Sequence, residues 1–169
     1  MARTRDDQLL LGEWACLGAL YPAPTHGFAI AGRLKPEGDI GRVWSMSRAL
    51  TYRALDQLTE RGLARVVGEE PGIAGGNRTI LTATRTGRAR LRQWLQTPVA
   101  HLRDVRSELL LKIVLAEQCG VDVSAMLAQQ RERVAAQVEA FDQVGTEDDV
   151  VMMWRRESAR SVLHFLDAL

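Results

Sequence analysis

The sequence predicts a mainly α chain, with an N-terminal winged helix-turn-helix followed by an all-helical C-terminal domain. Three observations carry this. Apolar residues recur at helical spacing along most of the 169 residues. The helical pattern is interrupted by two short extended runs joined by Pro71-Gly72-Ile73-Ala74-Gly75-Gly76, a strong turn signal. Beyond Thr97-Pro98 the pattern is wholly helical again. The order helix, helix, helix, hairpin, helix within residues 1–97 is that of a winged helix-turn-helix, and residues 98–169 form the second domain.

The first helix spans 9–21, because Leu10, Trp14, Leu17 and Tyr21 share one face, and Pro22 and Pro24 end it. Thr25 is placed to cap a second helix over 26–35, with Phe28, Ile30, Ala31 and Leu34 as its apolar contacts. A loop rich in glycine and charge follows over 36–44. Ser47 stands at the N-cap of a third helix over 48–61, and Gly62 supplies the left-handed residue that closes it. On a wheel of about 100° per residue, Leu50, Ala54, Leu55 and Leu58 gather on one side, and Arg48, Ala49, Tyr52, Arg53 and Asp56 on the other. Runs 63–69 and 78–83 form the hairpin. Thr84 caps a fourth helix through Leu95, with Leu91, Trp94 and Leu95 on its apolar side. Three further helices are expected at 103–119, 123–144 and 148–168, with Gly120 and Gly145 at their ends and Asp122 and Asp148 at helix starts. Leu127, Val134, Val138 and Phe141 make the middle one amphipathic. Val151, Trp154, Ser158, Val162, Phe165 and Leu169 do the same for the last.

Apolar residues make up 46% of the chain and charged residues 25%, which disfavours disordered and collagen-like classes. No apolar run reaches the ~18–20 residues that span a bilayer, so no membrane association and a cytoplasmic location are expected. The net charge of +1 hides a split: residues 1–97 carry 14 Lys+Arg against 9 Asp+Glu, and residues 98–169 carry 8 against 12. A basic module joined to an acidic one points to a polyanionic partner for the first. Cys16 and Cys119 form no CxxC pair, and His26, His101 and His164 share no ligand spacing, so neither a metal site nor a cofactor is expected. The glycines at 72–76 lack the GxxxxGK[ST] pattern and precede a strand. With no G-x-S-x-G elbow and no HExxH motif either, no catalytic residue is expected and the chain does not read as an enzyme.

A major groove about 12 Å wide accepts a helix whose outward side chains reach phosphates and base edges. Ser47, Arg48, Ala49, Tyr52 and Arg53 therefore form the candidate reading face. Gly75, Gly76, Asn77 and Arg78 form the candidate wing contact, with glycine for close approach and a base for phosphate. Trp94, Trp154 and Phe165 are candidates for an effector pocket or a dimer interface, although the leucines spaced around the tryptophans more simply make them core or interface. His26 reads as a turn-stabilising residue.

Several separated segments resemble the PadR-like transcriptional regulators, in particular the larger subgroup that shares a helical C-terminal domain with virulence activators. Leu17-Gly18-Ala19-Leu20 with Pro24-Thr25-His26-Gly27-Phe28 is similar to the family's Leu-Gly-Leu-Leu…Pro-x-His-Gly-Tyr. The third helix with Glu60-Arg61-Gly62-Leu63 resembles its Ser…Leu-Tyr-x-x-Leu…Leu-x-x-x-Gly-Leu. Thr84-Arg85-Thr86-Gly87-Arg88 with Trp94-Leu95, and Glu108-Leu109-Leu110-Leu111-Lys112, extend the likeness over residues 17–112. The chain departs from the family at Leu50 and Thr51, which are exchanged relative to its usual order. It departs again in the returning strand at Ile80, Leu81 and Thr82. The resemblance implies a homodimer held by the C-terminal helices, bound to a pseudo-palindromic operator on double-stranded DNA. It further implies a repressor that a small hydrophobic or phenolic effector releases. A twofold pair would set two reading helices about one DNA turn, ~34–36 Å, apart. The competing reading is a winged helix used as a protein-interaction module without specific DNA binding.

Overall fold

The computed structural model describes residues 8–72, 76–143 and 149–169. Helix α1 (Leu11–Leu20) is buried from Gly12 onwards and forms the axis of the N-terminal half. Its start is closed by Glu13, whose Oε2 accepts the Leu10 amide at 2.8 Å.

A two-residue strand, β1 (Thr25–His26), precedes α2 (Gly27–Arg33). The cap of α2 is His26 and not Thr25: the Ala29 amide donates to His26 Nδ1 at 3.0 Å. The cause is pairing. Thr25 and His26 lie extended opposite Leu81 and Ile80, so the helix begins after them and the imidazole does what a hydroxyl usually does. Two residues are too few to show an alternating pattern, and the sequence reading saw no strand there.

Helix α3 (Arg48–Glu60) is capped as expected, with the Leu50 amide donating to Ser47 Oγ at 3.3 Å. Its buried face is Thr51, Ala54, Leu55 and Leu58, which corrects the wheel: Leu50 is 52% exposed and Thr51 fully buried. Thr51 can lie inside because its hydroxyl donates to the Ser47 carbonyl at 3.0 Å, leaving no polar group unsatisfied. Gly62, at φ 66°, closes the segment as expected.

Strands β2 (Ala64–Pro71) and β3 (Asn77–Ala83) form the hairpin, with a bulge between Val66 and Gly68. With β1 they make an antiparallel sheet in the order β1-β3-β2. Thr84 caps α4 (Arg85–Leu95), its Oγ1 accepting from the Gly87 amide at 3.0 Å. A Cβ on Gly87 would stand 2.1 Å from the Leu63 carbonyl oxygen, so this helix meets the turn between α3 and β2 at a contact only glycine allows.

The C-terminal half is helical as expected. A 3₁₀ turn (Leu102–Asp104) and a π turn (Val105–Leu109) lead into α5 (Leu110–Cys119), where one uniform helix was expected. Gly120, at φ 62°, ends it. Helices α6 (Ser124–Gln143) and α7 (Val150–Asp167) pack on each other. Asp149 caps α7, accepting from the Val151 amide at 2.8 Å. Gly145 and Asp148, expected at this boundary, lie outside the described residues.

Two apolar clusters hold the molecule together. The larger gathers α1, α3, α4 and the sheet, and α5 enters it through Leu111, Leu115 and Ala116. The smaller gathers Val99, Val105, Leu109, Met126, Val134 and Leu166. Helix α5 and its leading turn thus face both. Among the described residues, no helix is long and apolar enough to cross a membrane.

Candidate nucleic-acid interface

The face of α3 opposite its buried stripe carries Ser47, Arg48, Ala49, Tyr52 and Arg53, all exposed. The hairpin rises beside this face. Between α3, the two strands and the start of α2 lies an open cleft of roughly 900 Å³, onto which Arg48, Tyr52, Gly76, Asn77 and Arg78 all abut. Ser47, Ala49 and Arg53 stand on the same helix outside the cleft. The folded chain therefore brings the reading-helix and wing candidates to one surface. Gly76, at φ 79°, takes the left-handed conformation at the hairpin end, and Gly75 lies outside the described residues.

Packing at the base of the cleft fixes the arrangement. A Cβ on Gly27 would fall 2.8 Å from Tyr52 Cε1, so the missing side chain is what lets α3 lean on the start of α2. Phe28, the next residue, is 53% exposed. This corrects the expectation that it packs inward with Ile30 and Ala31. The buried positions of α2 are Gly27, Ile30 and Ala31, and residue 28 lies about 100° off that stripe.

The Arg48 guanidinium stands 5.2 Å from the Phe28 ring centre and 5.7 Å from that of Tyr52. Arg78 reaches the same Phe28 ring from the wing at 5.5 Å. All three distances suit cation–π attraction. His26 Nε2 lies 3.3 Å from Arg78 Nη1 and 3.4 Å from Glu70 Oε1, while Asn77 Nδ2 donates to Glu69 Oε2 at 2.9 Å. His26 thus holds its turn, as the sequence suggested, and also touches the wing. Sequence reasoning missed Phe28 as part of this surface; its displacement from the i, i+3, i+4 stripe was the signal.

The aromatic candidates of the second set are not brought together. Trp94 stacks on Trp14 with ring centres 4.7 Å apart and planes 9° apart, against the larger cluster. Phe165 packs against the smaller one, and Trp154 is 73% exposed. None of the three borders the cleft or a smaller cavity of about 270 Å³ between segment 99–102 and α6.

Burial pushes the Cys16 thiol up to about 12 and the Cys119 thiol to about 11, so both stay protonated and unreactive at neutral pH. Among the described residues, no group of three or more His, Cys, Asp or Glu could hold a metal ion.

No protein-family model matches the chain, and no curated protein matches it. Among solved structures it is similar to Bacillus subtilis PadR in complex with operator DNA, at 17% identity and a TM-score of 0.49, over 92% of this chain and 96% of that one. It is also similar to a PadR-like transcriptional regulator from Bacillus cereus, at 19% identity and a TM-score of 0.44, over 98% and 97% of the two chains. A third is the Vibrio cholerae virulence activator AphA, at 23% identity and a TM-score of 0.44, over 94% and 90%.

Proposed function

We propose that this chain is a dimeric, sequence-specific DNA-binding transcriptional regulator of the PadR-like kind. The observation that carries the reading is the exposed face of α3, with Arg48, Tyr52 and Arg53, set beside wing residues Asn77 and Arg78 across one open cleft. A helix about 10–12 Å across fills a major groove of about 12 Å, and a hairpin beside it then follows the phosphate backbone. Arginine suits both tasks, because its planar fork donates to phosphate or guanine in pairs. In this reading, residues 1–97 bind DNA with an excess of basic charge, and the acidic residues 98–169 space and clamp the two copies.

Support for the homodimer comes from α7, where Val150, Val151, Met153 and Trp154 expose a run of apolar surface. A twofold pair calls for a pseudo-palindromic operator. Repression and release by a small hydrophobic or phenolic effector follow from the resemblance over residues 17–112, and a place in the cytoplasm belongs to the same reading. Trp94, Trp154 and Phe165 belong to this proposal as core or interface residues.

Selection from random-sequence DNA tests the reading. The expected product is an inverted repeat whose half-sites lie about one helical turn apart. An Arg48→Ala, Arg53→Ala double variant should lose most affinity for that duplex, keep its helical circular dichroism and its mass, and show a shallower salt dependence. Failure to enrich any sequence would favour the protein-interaction module instead, and unchanged binding by the double variant would count against α3 as the reading helix.

A further inference from the structure

Resting on that reading, we infer that Phe28 is a positioning residue for DNA binding: its exposed ring gathers one arginine from the reading helix and one from the wing. Arg48 and Arg78 belong to elements far apart in sequence, yet their guanidiniums lie 5.2 and 5.5 Å from one ring centre.

Two like charges held this close repel each other, and each arginine in water samples many rotamers. The π face of Phe28 offsets both tendencies. A guanidinium that rests its flat face on a ring keeps its N–H edge free, and that edge is what a phosphate oxygen recognises. The pair is therefore ordered before DNA arrives, which removes part of the cost of immobilising it on binding. The neighbouring groups agree with this role. Tyr52 presents a second ring to Arg48 at 5.7 Å. His26 stands 3.3 Å from Arg78 and is itself drawn towards Glu70 at 3.4 Å, and Asp56 borders the same cleft. Glu70 and Asp56 moderate the local positive charge.

The test uses the full chain and a duplex that the unmodified protein enriches from random-sequence DNA, with fluorescence anisotropy at about 150 mM salt. Phe28→Leu keeps apolar bulk and removes the π face, and should weaken binding roughly 5- to 30-fold. Phe28→Trp should restore affinity to within about 2-fold, because a larger ring holds cations at least as well. In an Arg48→Ala, Arg78→Ala background, Phe28→Leu should change affinity by less than about 2-fold, the signature of action through the arginines. Phe28→Met serves the same comparison should the leucine variant melt early. An equal loss in both backgrounds, a tryptophan variant as weak as the leucine one, or no loss at all would overturn the inference. If the unmodified protein enriches no duplex, the DNA reading itself falls, an outcome distinct from these three.

Discussion

Lys112 is the buried charge on which the junction of the two halves turns. Its ammonium donates to the Thr97 carbonyl at 2.6 Å, pairs with Glu108 at 2.7 Å and lies 4.8 Å from the Trp94 ring centre. Burial holds its pKa below the usual lysine range, against the opposing pull of Glu108. Glu108→Gln leaves that buried charge without its counterion and should cost about 1–3 kcal/mol in urea unfolding, less than for a fully buried pair because Glu108 is partly exposed and the Thr97 carbonyl still accepts from Lys112. Lys112→Met should cost less, since Glu108 is partly exposed and can turn to water. Asp39 gives a pH signature. Hydrogen bonding to Arg33, with Nη2 at 2.7 Å, holds its carboxyl below the usual value of 3.8. A depressed acid favours the folded state when ionised, so its contribution is complete above 3.8 and fades as pH falls through the lower folded value. Asp39→Asn should lower stability modestly at neutral pH, where the ionised carboxylate contributes in full, and so flatten the acid limb of a stability-against-pH curve; an unaltered limb would refute the assignment.

Helix α3 shows how much an element's own pattern decides. Its start at Ser47, its end at Gly62 and its exposed basic face are all legible, because capping chemistry and helical period are local. The exception is the first turn. Counting apolar residues turned Leu50 inward, yet a stripe through 51, 54, 55 and 58 is the one that meets α1. A threonine that returns its own hydroxyl bond to the Ser47 carbonyl passes for polar in a pattern and for apolar in a core. Leu50→Gln should therefore change stability by no more than about 0.5 kcal/mol, and Thr51→Gln should destabilise by about 2 kcal/mol or more through overpacking and a buried amide. Equal effects in thermal or urea unfolding would restore the original wheel. The hairpin was legible from its turn residues, whereas β1 was not, since a two-residue strand exists only by virtue of the partner it meets in β3.

At the scale of the molecule, the apolar run on α7 is the feature that asks for a second copy. The half of α7 that contains Ala159 and Leu166 is spent against the smaller cluster and α6, while Val150, Val151 and Trp154 face outward. If the proposed dimer forms through this face, Trp154→Glu should shift sedimentation from dimer to monomer at micromolar concentration with helical content unchanged, because a charge would replace an exposed aromatic on the apolar run. A dimer that persists would move the interface elsewhere.

Fold class, the order of the main helices and the hairpin, the caps at Ser47 and Thr84 and the division of charge between residues 1–97 and 98–169 were legible in the sequence alone, because caps and helical period depend on neighbours within a turn or two of helix. Tertiary structure decided what depends on distant partners. It placed Arg48 and Arg78 on one exposed ring, turned Thr51 in and Leu50 out, and sent Trp94 to stack on Trp14 while leaving Trp154 open. Helical period names the face a residue shares, and only the arrival of another element settles whether that face is covered.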